Sequence, residues 1–96
     1  HVIHHGELSI NRERMSASWR DEAIELTITE FWITYSLAKN PGHVKTRQQL
    51  MDAANVVLDD NTITSHIKRI RKKFQLADSG FGAIETAYGM GYRWKS

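Results

Sequence analysis

Residues 60–74, Asp-Asn-Thr-Ile-Thr-Ser-His-Ile-Lys-Arg-Ile-Arg-Lys-Lys-Phe, concentrate the groups in this sequence that could do chemistry. Lys68, Arg69, Arg71, Lys72 and Lys73 crowd into six positions, and no acidic residue falls between Asn61 and Ala77. Ammonium and guanidinium groups at this density suit phosphate oxygens. A guanidinium can also grip O6 and N7 of a guanine through two parallel hydrogen bonds. The plain alternative is a solvated helix face, but such faces mix signs through i,i+4 Glu–Lys pairs and this one does not.

The segment is periodic, which brings these groups to one side. Ile63, Ile67, Ile70 and Phe74 fall at i, i+4, i+7 and i+11, an apolar stripe on a helix. Thr62, Ser65, His66, Arg69, Lys72 and Lys73 then share a different side, with Lys68 and Arg71 at its far border. Arg69 is the candidate for direct base contact, and Ser65 for a base edge or a phosphate. Asn61, Thr62, His66, Lys68, Lys72 and Lys73 are candidates for phosphate. Arg69 touching phosphate alone, His66 capping the edge of the core, and Lys68 and Arg71 simply solvated are the alternatives.

A helix read this way needs a frame. Glu7–Ile10 and Met15–Trp19 alternate as strands, and Arg20-Asp21-Glu22 turns into Ala23–Leu26, which makes a small antiparallel sheet. Thr27-Ile28-Thr29-Glu30 is a capping box opening a helix over 28–39. That helix is apolar at Ile28, Phe31, Tyr35 and Ala38, with Trp32, Ile33 and Leu37 beyond the stripe, and Asn40-Pro41-Gly42 stops it. Thr46-Arg47-Gln48-Gln49 is a second box, opening a helix over 47–54. Its free N–H groups would welcome a phosphate near Thr46 and Arg47, with plain capping the alternative. Asp59 or Asp60 is expected to cap the basic helix, 61–76. Residues 84–94 read as a hairpin, with Gly89 and Gly91 supplying positive φ and Thr86 and Tyr88 as contact candidates. Sheet, three helices and hairpin in this order are an α+β winged helix-turn-helix. The third helix is expected in the major groove of DNA and the hairpin wing on the flanking backbone or minor groove.

The bulk properties agree. Ninety-six residues with 41% hydrophobic content allow one domain and one core. The net charge is only +2, but residues 1–30 carry six acids against three arginines while 61–76 carries +5. No apolar run approaches a membrane span, and no signal peptide is visible. Without cysteine there is no disulfide, thiolate metal site or cysteine nucleophile, which fits a cytoplasmic protein. The chain opens without methionine, as a fragment of something longer would. Gly80-Phe81-Gly82 and Gly89-Met90-Gly91 each lack the third glycine of a dinucleotide loop. No enzyme, cofactor or metal is expected: His1, His4 and His5 on a floppy terminus bind metal only incidentally. Trp19, Trp32 and Trp94 are assigned to packing rather than to base stacking.

The blocks Leu8-Ser9-Ile10, Leu26–Phe31, Arg47–Leu50, Thr62–Lys73, and Glu85-Thr86 through Gly89-Met90-Gly91-Tyr92-Arg93 resemble the effector domain of OmpR/PhoB-family response regulators, nearest to the ChvI type. The resemblance implies a four-stranded N-terminal antiparallel sheet, three helices and a C-terminal wing. It also implies a place as the output half of a two-component, phosphorelay-controlled transcription regulator. A receiver domain, absent here, and a cognate histidine kinase would complete that system, so Asp59 and Asp60 are not phosphoacceptors. Head-to-tail binding to direct repeats is implied as well, and the loop 55–60 is the weak candidate for touching RNA polymerase. Asn61 and Tyr88 stand where the family often has arginines, which puts minor-groove readout by the wing in doubt. A winged-helix protein-interaction module without DNA binding is the rival reading. An RNA binder is a second rival, disfavoured by the narrow major groove of A-form RNA.

Overall fold

The computed structural model describes residues 2–55 and 60–96. Four short strands, β1 (Val2–His5), β2 (Leu8–Asn11), β3 (Ser16–Trp19) and β4 (Glu22–Ile24), form an antiparallel meander in sequence order. Leu8, Ile10, Ala17, Trp19 and Ile24 are buried, so the alternation read from the sequence is the packed face of this sheet. Arg20 and Asp21 both adopt left-handed conformations (φ 53° and 64°) between the paired Trp19 and Glu22. This is the two-residue turn whose twist matches the strands it joins.

β1 corrects the expectation of a floppy N-terminus. Gly6, at φ 59°, closes a tight connection between the paired His5 and Leu8, so His4 and His5 belong to an edge strand. The histidines hid the strand because its alternation is weak, and Gly6 was the available signal.

Helix α1 (Ile28–Ala38) carries the expected capping box: the Thr27 hydroxyl accepts from the Glu30 amide, and the Glu30 carboxylate accepts from the Thr27 amide. Its buried side differs from the stripe read in the sequence. Ile28 is largely exposed, whereas Glu30, Ile33, Thr34 and Leu37 are buried with Phe31 and Ala38. At the first turn Ile28 turns to solvent, while Glu30 faces inward toward α3. Helix α2 (Arg47–Ala54) has its own box between Thr46 and Gln49 and ends at Asn55 in the left-handed conformation. Helix α3 (Asp60–Ala77) follows. The cap expected from Asp59 or Asp60, and all of the loop 55–60 expected to touch polymerase except Asn55 and the backbone of Asp60, lie outside the described residues and side chains.

The hairpin of β5 (Ile84–Ala87) and β6 (Gly91–Trp94) closes the fold. Lys45, just before α2, bridges to Tyr92: the Lys45 amide donates to the Tyr92 carbonyl at 2.7 Å and the Tyr92 amide donates back at 3.0 Å. Gly91 permits this approach, because a β-carbon there would lie 2.0 Å from the Lys45 carbonyl oxygen. Gly89, at φ 76°, is the residue that serves the turn itself. Sheet and hairpin meet in an aromatic cluster. Phe74 stacks on Phe81 at 4.6 Å, and Trp19 and Trp94 meet both rings edge-on. Trp19 also donates its indole N–H to Asp78 at 3.0 Å.

Candidate nucleic-acid interface

The inner side of α3 is Ile63, Ile67, Ile70 and Phe74, all essentially without solvent contact. With that stripe fixed, helical geometry sends Ser65 and Lys72 straight outward, and both are exposed. Lys68 lies to the side of that outward line facing away from α1, as Arg69 lies to the side facing α1, and both are exposed. Arg69, 54% exposed at its side chain, forms the shoulder toward α1. Thr62 and His66 are half-buried on the same shoulder, and the Asn61 side chain lies outside the described residues.

That shoulder is organised by one buried carboxylate. Glu30 is 1% exposed. Its Oε1 accepts from Lys73 Nζ at 2.5 Å and from the Thr27 amide at 2.9 Å, and its Oε2 lies 3.9 Å from Arg69 Nε. Arg69 Nη2 donates to His66 Nδ1 at 3.2 Å, which requires that nitrogen to be unprotonated. Lys73, a phosphate candidate by sequence, is thus the direct counter-ion of Glu30.

The opposite shoulder is tied to the wing. Arg71 donates to the Ile84 carbonyl from Nε (3.2 Å) and Nη2 (2.8 Å), and from Nη2 to the Thr86 hydroxyl at 2.9 Å. Thr86 is therefore engaged from inside the fold. Arg71 and Arg47 each place a guanidinium 5.8 Å from the buried Tyr92 ring. Thr46 is committed to its cap. Tyr88, 91% exposed, stands at the wing tip with Met90. The arrangement is a convex, cationic helix face with a projecting hairpin beside it; among the described residues no group of three His, Cys, Asp or Glu could hold a metal.

A family model described as "Transcriptional regulatory protein, C terminal" matches residues 21–94. The chain belongs to that family. It is 39% identical over 92 residues to the transcriptional regulatory protein BaeR of Escherichia coli O6:H1, covering 93% of this chain but only 38% of BaeR. Its fold matches the DNA-binding domain of CpxR from E. coli with a TM-score of 0.86 and 31% identity, covering 100% of this chain and 97% of the other. The DNA-binding domain of the response regulator AdeR, solved in complex with an intercistronic region, matches with a TM-score of 0.88 and 26% identity over 98% and 99% of the two chains. The winged-helix architecture is shared throughout. The family is one of transcription regulators rather than catalysts, and the assignment stands at family level rather than at the ChvI type. No helix among the described residues is long and apolar enough to cross a membrane.

In this regulator domain the sequence missed three contributors. Glu30 looks like an ordinary box residue, Arg71 reads as one more cation, and Lys45 carries no motif. Their roles depend on contacts 13 or more positions away, so local pattern holds no sign of them.

The ionisable groups of the α1–α3 contact predict acid sensitivity. Burial pushes the Glu30 carboxyl up, but the Lys73 ammonium and the Thr27 amide together outweigh it and hold it below its ordinary range. Burial, helped by the charge of Arg69, pushes the His66 imidazole below its ordinary value. Both shifts mean that the unfolded chain binds more protons in acid, so stability rises with pH across each window. The His66 contribution is present above about 6.5 and lost as pH falls through its depressed value. The Glu30 contribution is present above about 4.5 and lost below that. Thermal unfolding by circular dichroism should show Tm falling in these two stages between pH 7 and pH 3, with Glu30→Gln shrinking the lower stage, to which Asp78, held low by the Trp19 indole N–H, also contributes. A flat Tm across this range would contradict the ion-pair geometry.

Proposed function

We propose that this domain binds double-stranded DNA sequence-specifically, as the output part of a two-component transcription regulator. The observation that carries the reading is the outer face of α3. Ser65, Lys68, Arg69 and Lys72 are exposed together without a carboxylate, on a fold shared with domains described as DNA-binding. The helix enters the major groove, Arg69 reads a guanine, and Ser65 meets a base edge or a phosphate. Lys68, Lys72, His66, Thr62 and Asn61 hold the backbone. Lys73 joins them through the third of its side chain that remains exposed. Thr46 and Arg47 sit where a backbone phosphate would pass the start of α2, and Tyr88 packs on the sugar–phosphate edge, with Thr86 beside it.

In the longer protein a receiver domain and its histidine kinase govern this activity in the cytoplasm, and two copies bind direct repeats head to tail. Segment 55–60 is the candidate contact for RNA polymerase.

The test is fluorescence anisotropy with a random-sequence duplex pool at several salt concentrations. Saturable binding with a log–log salt slope of roughly −3 to −6 is expected. Absence of binding at low salt would favour a protein-interaction module with an acidic partner. On the site selected from that pool, Arg69→Ala should cost about 1–3 kcal/mol at a single base pair and flatten preference there. Lys72→Ala should weaken all sequences alike and reduce the slope by about one. Equal, sequence-blind losses from both variants would reassign Arg69 to phosphate.

A further inference from the structure

The two capping boxes of this chain differ in a way that capping does not require. In α2 the box is closed by Gln49, neutral and exposed. In α1 the same position holds Glu30, charged and buried. An amide would complete the α1 box as Gln49 does in α2, and burying a carboxylate is costly unless it is paired. The charge serves a purpose beyond the cap, and its partners lie on α3. Lys73 neutralises Oε1 at 2.5 Å, and Oε2 is left toward Arg69 Nε at 3.9 Å. His66, Arg69 and Lys73 are spaced i, i+3 and i+7, so they line the one side of α3 that runs along α1.

The contacts fix which edge of the Arg69 guanidinium is used. Nε is the atom nearest Glu30, and Nη2 is the atom bonded to His66. Nε and one Nη2 hydrogen are therefore the groups engaged within the protein, and the Nη1–Nη2 edge is the one offered to a base. That edge carries the two parallel donors that match O6 and N7 of guanine.

We propose that Glu30 is a positioning residue for DNA readout: its carboxylate, together with the His66 imidazole, holds the Arg69 guanidinium in one orientation, so discrimination at the base pair read by Arg69 depends on a side chain that never touches DNA. The proposal rests on Arg69 being the base-contacting residue. An arginine released from this hold finds phosphates instead, and Lys73 is released with it. Affinity is then kept while discrimination is lost.

The experiment uses the whole 96-residue chain, a duplex selected from a randomised pool by the wild-type protein, and the same duplex with each guanine substituted in turn. Glu30→Gln should lower the affinity ratio between the selected duplex and the critical substituted one by about tenfold, with affinity for random duplex unchanged or raised. A purely structural Glu30 would lower Tm and leave the ratio of the folded protein intact, which overturns the proposal. Arg69→Ala separates the two readings. If it flattens the preference and Glu30→Gln has no further effect on that background, the proposal stands. If Arg69→Ala flattens preference while Glu30→Gln alone keeps full discrimination, the positioning role is overturned and the reading of Arg69 survives. If Arg69→Ala leaves discrimination intact, both fall. Should Glu30→Gln fail to fold, His66→Leu removes the Nδ1 acceptor and should lower the same ratio, and full discrimination in that variant would also overturn the proposal.

Discussion

Replacing Gly91 by alanine is expected to destabilise the domain by on the order of 3 kcal/mol or more, a fall in Tm of roughly 12 °C or more for a chain of this size. Two separate penalties combine. Gly91 has φ 143°, a conformation that side chains adopt only under strain costing about 1–3 kcal/mol. Its added β-carbon would also stand 2.0 Å from the Lys45 carbonyl oxygen and 2.9 Å from the carbonyl carbon. Both atoms are backbone, so relief means parting the strands and losing the pair of amide bonds between Lys45 and Tyr92, each worth about 1 kcal/mol. Gly89→Ala is the control. Its φ of 76° carries strain, but nothing lies within 4 Å of the new methyl, so the loss should be only about 1 kcal/mol. Thermal unfolding of both variants checks the contrast, and a Gly91→Ala protein within about 1 kcal/mol of wild type would refute the close approach.

Phe74→Ala is the second large effect, with an expected loss of about 3–5 kcal/mol. Phe74 is the last rung of the α3 stripe and has no exposed surface. Its ring stacks on Phe81 and is met edge-on by Trp19 and Trp94, so truncation removes contacts from β3, β6 and the segment before β5 at once and leaves a void that rigid rings cannot fill. A domain of this size has about 5–15 kcal/mol in total, so the variant should be marginal at body temperature. Leu76, two positions on and 89% exposed, supplies the comparison: Leu76→Ala should change stability by no more than about 0.5 kcal/mol. Urea unfolding of the pair measures both, and similar losses from the two would mean that α3 packs differently.

Where local signals were strong, sequence and structure agree closely. The Thr27 and Thr46 boxes place the starts of α1 and α2 at Ile28 and Arg47, because Ser/Thr-x-x-Glu/Gln encodes a cap within four residues. The Ile63–Phe74 stripe is the buried side of α3 because nothing polar interrupts it. Agreement fails where a residue answers to distant neighbours. Ile28 looked like core and is exposed, Glu30 was read only as a cap and is buried, and β1 was hidden among histidines. Gly91 was read as a turn glycine, although its decisive neighbour is Lys45. For the candidate interface, the outward line of α3 was legible from periodicity. The engagement of Arg71 with the wing and of Lys73 with Glu30 was not legible, since both partners lie more than ten positions away on other elements.

The fastening of the hairpin bears on how much order the domain must acquire when it meets a ligand. Its strands are held by the Lys45–Tyr92 bridge, by Arg71 on Ile84 and Thr86, by the Gly42 amide on the Trp94 carbonyl, and by the Lys95 amide on the Ala83 carbonyl. Only the tip, Tyr88-Gly89-Met90, projects beyond these ties. Ordering a loop or a rotamer-rich side chain on association costs about 0.5–1.5 kcal/mol apiece. With the rest of the hairpin tied to α3 and to the segment before α2 ahead of any encounter, the wing's share of that entropic loss is confined to three residues. Helix and wing then act as a rigid two-pronged gauge, tuned to one separation between the surfaces it can touch.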